Sequence, residues 1–198
     1  MKLKEVIEKP KFSFEDLFLF DIEIMTFTID CKNLPEPNYS TNKIDYIPNL
    51  VSIVEELKKV HSPCLYWFET ETIEESKKIF SLIENYRERS KLEGRKIPAK
   101  NNYFKENNYL PNKIIYVGKR HVGIRKHDQL TNIAGRIIIH FGYYAAGSTQ
   151  GLQLANWSRK YNGKLFLKVL PLPKEADTYL ELLEKLLAKK LKPQCGRH

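Results

Sequence analysis

The chain has 198 residues, of which 42% are hydrophobic, so it is large enough for one domain with a sizeable core. Its 33 Lys and Arg against 24 Asp and Glu give a charge of +9, which favours polyanionic partners such as nucleic acid. No apolar run approaches the ~20 residues of a membrane span, and the N-terminus lacks the apolar stretch of a signal peptide. We therefore expect a cytoplasmic location and no membrane partner. The three cysteines form no CxxC pair, so neither a zinc knuckle nor a disulfide framework is supported.

The N-terminal part of the chain carries weak structural signals. Apolar and acidic residues alternate over 20–24 and predict a strand, although Ser13 and Asp16 could instead open a helix. Residues 33–43 contain two prolines and several turn formers and predict a loop. Apolar side chains at helical spacing then predict a helix over residues 48–60.

The rest of the chain alternates between strand and helix signals. Short apolar, β-branched or aromatic runs predict three strands, at residues 63–69, 113–118 and 165–170. Thr72 and Glu75 form a capping-box pattern, and Gly142 follows another apolar stripe as a helix terminator. The predicted helices cover residues 73–90, 128–140 with Asp128 as the cap, a short stretch within 150–161, and 175–192.

Basic residues are concentrated in the segment 87–108, where they are mixed with asparagines and two aromatic residues. This composition predicts a loop or arm that contacts phosphate groups, and the alternative is a solvated flexible loop. The residues assigned to nucleic-acid binding are Arg87, Arg89, Arg95, Lys96, Lys100 and Lys105, together with Arg120 beyond the second predicted strand.

Four short motifs carry side chains suited to the hydrolysis of a phosphodiester. That reaction requires a base near the attacking water, cations near the phosphoryl oxygens, and help for the leaving oxygen. The four-residue spacing of the third motif places its two polar side chains on one helix face. In chain order the motifs are Cys64-Leu-Tyr66, Tyr116-Val-Gly-Lys119, Arg136 with His140, and Glu184 followed by apolar and basic residues up to Pro193.

In their order, and in the elements that carry them, these motifs resemble those of the GIY-YIG nuclease family. The resemblance implies an α+β fold with a small three-stranded antiparallel sheet flanked by helices. It divides the chain into an N-terminal extension, residues 1–60, and a nuclease domain, residues 61–198, with an insertion at about residues 70–111. The first motif departs from the family pattern by reading Cys-Leu-Tyr. Gly196 stands where most family members have an asparagine.

The resemblance implies a role for each residue of the first three motifs. Tyr66 would bind or deprotonate the attacking water, and His140 would orient Tyr66 or share a proton with it. Tyr116 would hold water or phosphate through its hydroxyl group. Packing in the core is the structural alternative for all three side chains.

The same resemblance assigns the charged residues. Arg136 would stabilise charge on the phosphoryl oxygens, for which its planar donor fork is suited, and Lys119 would contact a phosphate oxygen. Glu184 would be the single protein carboxylate on Mg²⁺ or Mn²⁺. Glu181 lies one turn earlier on nearly the same helix face and is the competing ligand. An ordinary salt bridge is the alternative for Arg136, and a solvated surface position for Lys119.

The function expected on these grounds is that of a divalent-metal-dependent endonuclease that cuts DNA, of a restriction or repair type. One alternative is a nucleic-acid-binding module that keeps the fold without the reaction. Another is a nuclease that acts on RNA. The sequence leaves a homodimer open.

Overall fold

The structure is a computed structural model, which describes residues 23–37, 48–101, 112–123, 132–143 and 150–196. These residues form an α+β fold in which helices flank one antiparallel sheet of four strands, in the spatial order β1-β4-β2-β3. The strands are β1 (Met25–Asp30), β2 (Cys64–Glu69), β3 (Ile114–Arg120) and β4 (Lys164–Pro171). Three of them coincide closely with the predicted strands.

The expected number of three strands is wrong, because β1 from the N-terminal extension joins the sheet. It pairs with β4 along its whole length, from Met25 opposite Val169 to Asp30 opposite Lys164. Threonines alternate with the buried Phe27 in this strand, which gives it one face for the core and one for solvent.

The strand predicted over residues 20–24 therefore lies a few residues too early. Residues 23 and 24 are outside the strand. Residues 20–22 are outside the described part of the chain, as is the alternative helix at Ser13 and Asp16. In the predicted loop, residues 33–37 have no regular secondary structure beyond a turn, and residues 38–43 are not described.

The described residues contain five α-helices, whose ends follow the predicted signals. The capping box at Thr72 and Glu75 is formed by both hydrogen bonds. Gly142 ends another helix in the left-handed region, with φ 89°. The predicted cap Asp128 lies outside the described residues, and that helix follows Asn132. The helices are α1 (Pro48–Lys58), α2 (Ile73–Leu92), α3 (Ile133–Phe141), α4 (Leu154–Trp157) and α5 (Leu180–Leu191).

None of the helices in the described ranges is long and apolar enough to cross a membrane. Short 3₁₀ helices follow α4 at Ser158–Lys160 and precede α5 at Lys174–Tyr179. The single predicted helix over residues 175–192 is thus a 3₁₀ turn that continues into an α-helix.

The sheet separates two hydrophobic layers, because side chains alternate between the faces of each strand. On one face, Tyr66 and Phe68 pack with α3 in the larger cluster. On the other, Leu65 and Trp67 pack with buried leucines of α5. Residues of α1, α2 and α4 belong to the larger layer as well, so both faces of the sheet are covered by helices and removed from water.

Segments outside the predicted nuclease core belong to the same packing. Leu57 of α1 is fully buried in the cluster that contains Tyr66. The C-terminal peptide lies between the insertion and β3: Gln194 donates its backbone N–H to the carbonyl of Ile114, and Gly196 donates to that of Ala99. The extension, the insertion and the C-terminus therefore all help to position β2 and β3.

Candidate active site

Tyr66 is the centre of a buried hydrogen-bonded cluster between β2, β3 and α3. Its Oη accepts a hydrogen bond from Nε of Arg136 at 2.9 Å and lies 3.0 Å from Nε2 of His140. Nη2 of Arg136 also donates to the hydroxyl of Tyr116 at 3.3 Å. The rings of Tyr116 and His140 are in contact, with centroids 4.7 Å apart. The structure thus brings together four residues predicted from three separate motifs.

The tautomer of His140 follows from its second hydrogen bond. The backbone N–H of Leu152 donates to Nδ1 at 3.2 Å, so Nδ1 carries no proton and the neutral ring has its proton on Nε2. Burial and the neighbouring Arg136 hold the pKa of His140 well below 6.5. His140 is therefore a neutral hydrogen-bond donor to Tyr66, which fits the predicted orienting role better than that of a proton acceptor.

The phenolic oxygen of Tyr66 accepts two hydrogen bonds, and the side chain is completely buried. Burial raises the pKa of Tyr66 well above 10, while the charge and hydrogen bond of Arg136 act in the opposite direction. Donors on the oxygen favour the phenolate, and removal from water favours the phenol. The hydroxyl is consequently protonated at neutral pH in this state of the protein, with both donors already aimed at the position where negative charge would develop.

Gly118 is required by the close approach of the two tyrosines. It lies directly opposite Tyr66 in the β2–β3 pair. A Cβ at this position would be 2.5 Å from Cζ and Oη of Tyr66 and 2.8 Å from a ring carbon of Tyr116. The glycine of the second motif therefore leaves room for the Tyr66 ring to pack against β3. Any other residue at position 118 would displace this ring.

A segment before α4 fixes the position of Arg136. Nη1 of Arg136 donates to the carbonyl of Gln150 at 2.9 Å, and the side chain of Gln150 donates to the carbonyl of Ile97 in the insertion. The next backbone N–H, of Gly151, donates to the carbonyl of Lys96. The sequence suggested that residues 150–157 line a nucleic-acid groove, or form part of the core. It gave no sign of the contacts with Arg136 and His140, because these are made by backbone groups that leave no side-chain signature.

Arg120 adds a second guanidinium to this region. It lies on the Tyr66 face of the sheet, opposite Cys64. Burial, followed by the charge of Arg136, lowers the pKa of Arg120. Two partly buried arginines beside a phenol produce a positive potential suited to a phosphate group.

The metal-ligand candidate lies on the opposite face of the same strands. Lys119 stands opposite Leu65, so its side chain points toward α5. Its Nζ donates to Oε2 of Glu184 at 2.5 Å and lies 2.7 Å from Oε2 of Glu181. Burial alone would lower the pKa of Lys119, and the two carboxylates outweigh this effect, so its pKa is above 10.5.

The two clusters meet at the consecutive residues Gly118 and Lys119 of β3, which is an edge strand. In the described residues no group of three or more His, Cys, Asp or Glu side chains is arranged to hold a metal ion. A cation at Glu184 would therefore have one or two carboxylates, with water and substrate oxygens completing its shell. Mg²⁺ accepts such a shell, so the residues present fit the predicted metal.

Comparisons with protein-family models, with curated proteins and with solved structures give no match for this chain. The resemblance to the GIY-YIG family therefore depends on the motifs alone. At the departure noted near the C-terminus, Gly196 has φ 126°, a conformation that favours glycine, and it donates a hydrogen bond to Ala99. This residue serves the backbone of the C-terminal peptide.

The arginines of the predicted basic arm are engaged within the protein. Arg87 pairs with Glu84 at 2.8 Å and donates to the carbonyl of Pro98. Arg89 and Arg95 both pair with Glu93, at 3.0 and 3.3 Å. These contacts hold the end of α2 against the residues that follow it. They make the insertion a packed element on this side, rather than the loose arm that the composition suggests.

The two described lysines of the same set, Lys96 and Lys100, are both exposed. Nζ of Lys100 lies 5.4 Å from the centre of the Phe80 ring. Lys105 lies outside the described residues. Contact of the basic set with nucleic acid stays a prediction, and Arg120 is the member placed nearest to Tyr66 and Arg136.

Proposed function

We propose that the protein is a divalent-metal-dependent endonuclease that hydrolyses DNA phosphodiester bonds by a GIY-YIG-type mechanism. The observation that carries the proposal is the contact between Tyr66, Tyr116, Arg136 and His140, residues from three separate motifs. Pure packing does not require two buried donors on one phenolic oxygen, whereas a base that must acquire negative charge does.

In this mechanism Arg136 and Arg120 bind the phosphoryl oxygens and stabilise the charge that develops on them. The reacting form is the minor fraction of Tyr66 that has lost its proton to solvent. This phenolate, stabilised by Nε of Arg136 and Nε2–H of His140, takes a proton from the attacking water. Tyr116 forms the more open side of the cluster and holds water or phosphate. Glu184 would hold Mg²⁺ or Mn²⁺, which supplies positive charge for the leaving 3′ oxygen.

A nucleic-acid-binding module without activity is the second candidate. The ion pair between Lys119 and Glu184 favours it, because a carboxylate neutralised by the protein needs no metal to coexist with phosphate. The two candidates differ in one measurable property, since only the nuclease requires a divalent ion.

A plasmid-nicking assay in the presence and absence of Mg²⁺ or Mn²⁺ tests the proposal. We expect metal-dependent nicking by the wild type, a loss of roughly 10²–10³-fold in Arg136→Met, and a loss of nicking in Glu184→Gln. Glu69→Gln is the matched control, because Glu69 is also paired with a lysine, Lys168 at 2.9 Å, on the same sheet. Circular dichroism confirms that each variant is folded.

Two outcomes would contradict the proposal. Nicking retained in both Arg136→Met and Glu184→Gln would mean that a contaminant or another site cuts the DNA. No cleavage of duplex, branched or single-stranded DNA by the wild type, with salt-sensitive binding intact, would support the binding module. The same variants on an RNA substrate would show whether RNA is cut instead.

A further inference from the structure

Lys119 bridges the two carboxylates that compete for the metal. Its ammonium is within hydrogen-bond distance of both Glu184 and Glu181. The side chains of Lys119 and Glu184 are only 19% and 13% exposed, whereas that of Glu181 is 64% exposed. The Lys119 ammonium thus lies between a largely buried carboxylate and an exposed one. A metal ion that contacted both carboxylates would occupy the same position.

An ammonium and a divalent ion cannot share this position. At a few ångströms two cations repel each other strongly in a partly buried site, where the effective dielectric is well below that of water. Metal binding therefore requires that the ammonium moves away from Glu184.

A phosphate group offers the ammonium another partner. Lysine carries a point charge on a flexible four-carbon stem, so its head can swing while its backbone stays in β3. Gly118 and Lys119 are consecutive residues of the edge strand β3, and they lie on opposite faces of the sheet. The ammonium would therefore turn around the edge of this strand to reach a phosphate held at Arg136. His121 gives Glu181 a second partner, at 3.4 Å, and lies 3.0 Å from Asp177.

We propose that Lys119 is a displaceable internal cation: it occupies the Glu181–Glu184 pair without substrate, and DNA phosphate draws it away and admits the divalent metal. The inference rests on the proposed function, since it assumes that Glu184 is a metal ligand. It assigns Lys119 two successive partners, the carboxylates and then the phosphate. It also requires that DNA and the metal strengthen each other's binding, because both displace the same ion pair.

The test measures the affinity of the full chain for Mn²⁺ in the absence of DNA. The concentration of free Mn²⁺ is monitored by electron paramagnetic resonance. We expect Lys119→Met to bind Mn²⁺ at least about tenfold more tightly than the wild type. Lys119→Arg keeps the charge and should bind as weakly as the wild type. Lys168→Met is the matched control, since it removes a lysine from a comparable ion pair with Glu69, and it should leave the affinity unchanged.

A second measurement uses a phosphorothioate duplex that resists cleavage. Adding it should raise the Mn²⁺ affinity of the wild type by about tenfold or more, and should change that of Lys119→Met by much less. The wild-type comparison needs no variant, so it can refute the inference even where Lys119→Met fails to fold. Absence of any DNA effect on the wild type would overturn the inference.

The outcomes also separate this inference from the proposed function. If Glu184→Gln abolishes Mn²⁺ binding while Lys119→Met binds no more tightly than the wild type, the metal site stands and the displaceable cation is refuted. If Glu184→Gln leaves Mn²⁺ binding unchanged both in the wild type and in Lys119→Met, the assignment of Glu184 as a metal ligand fails, and this inference fails with it.

Discussion

Replacement of Tyr66 by Phe removes one oxygen from the centre of the cluster. Arg136 Nε, at 2.9 Å, and His140 Nε2, at 3.0 Å, then lose their shared acceptor. Tyr66 and His140 are both completely buried, so water cannot take its place without rearrangement. A buried donor left unsatisfied costs about 1–3 kcal/mol, and more when it is charged. With two such donors, we expect Tyr66→Phe to lower the free energy of unfolding by about 2–6 kcal/mol.

Urea unfolding followed by tryptophan fluorescence measures this loss. A chain of this size should also melt about 2–4 °C lower for each kcal/mol. Tyr86→Phe is the control, because its hydroxyl donates to the more exposed Glu93 at 2.8 Å, where water can replace it. We expect that variant to lose no more than about 1 kcal/mol. Equal losses in the two variants would refute the assignment of both donors to the Tyr66 oxygen.

Three further predictions concern the same cluster. Gly118→Ala should lose about 1–3 kcal/mol of stability through overpacking against Tyr66, and its nicking rate should fall by more than that of a variant matched in stability. The pKa of His140 is lowered by burial, so its unfolded form binds a proton below about pH 6.5 that the folded form does not. The stability that the neutral His140 contributes is therefore present above that pH and lost as the pH falls, by up to about 1.4 kcal/mol per pH unit. Urea unfolding between pH 7.5 and 5.5 (roughly the span in which imidazole titrates) should show this loss in the wild type and not in His140→Leu. Because burial raises the pKa of Tyr66, the nicking rate should still increase at about pH 9, and a plateau near neutrality would exclude Tyr66 as the base.

Local signals in the sequence predicted most of the elements but not the full sheet. The capping box at Thr72 and the terminator Gly142 act within one helical turn, so their consequences can be read locally. The membership of β1 depends on pairing with β4, more than a hundred residues later in the chain. Such a pairing depends on which strand edges of the sheet remain unpaired after the other elements have packed. The residues of a single strand do not specify it.

The site was predicted in part for the same reason. The proximity of Tyr66, Arg136 and His140 was expected from the motifs and agrees with the structure. The partners of Lys119 were missed, although strand alternation already places it on the face opposite Gly118. The described part of the basic segment, residues 87–101, was misread as a loose arm, because its arginines form ion pairs with glutamates two to four residues away, such as Glu84 before Arg87.

The position of β4 determines when the sheet can be completed during translation. This strand pairs with β1 on one side and β2 on the other, yet it is the last strand in the chain. Until residue 171 has left the ribosome, β1 has no neighbour and the β2–β3 pair has an open inner edge. The helix with Glu184 follows later still. Glu184 is therefore synthesised after every residue of the Tyr66 cluster and after the last strand of the sheet, so an unfinished polypeptide lacks the carboxylate proposed to bind the metal.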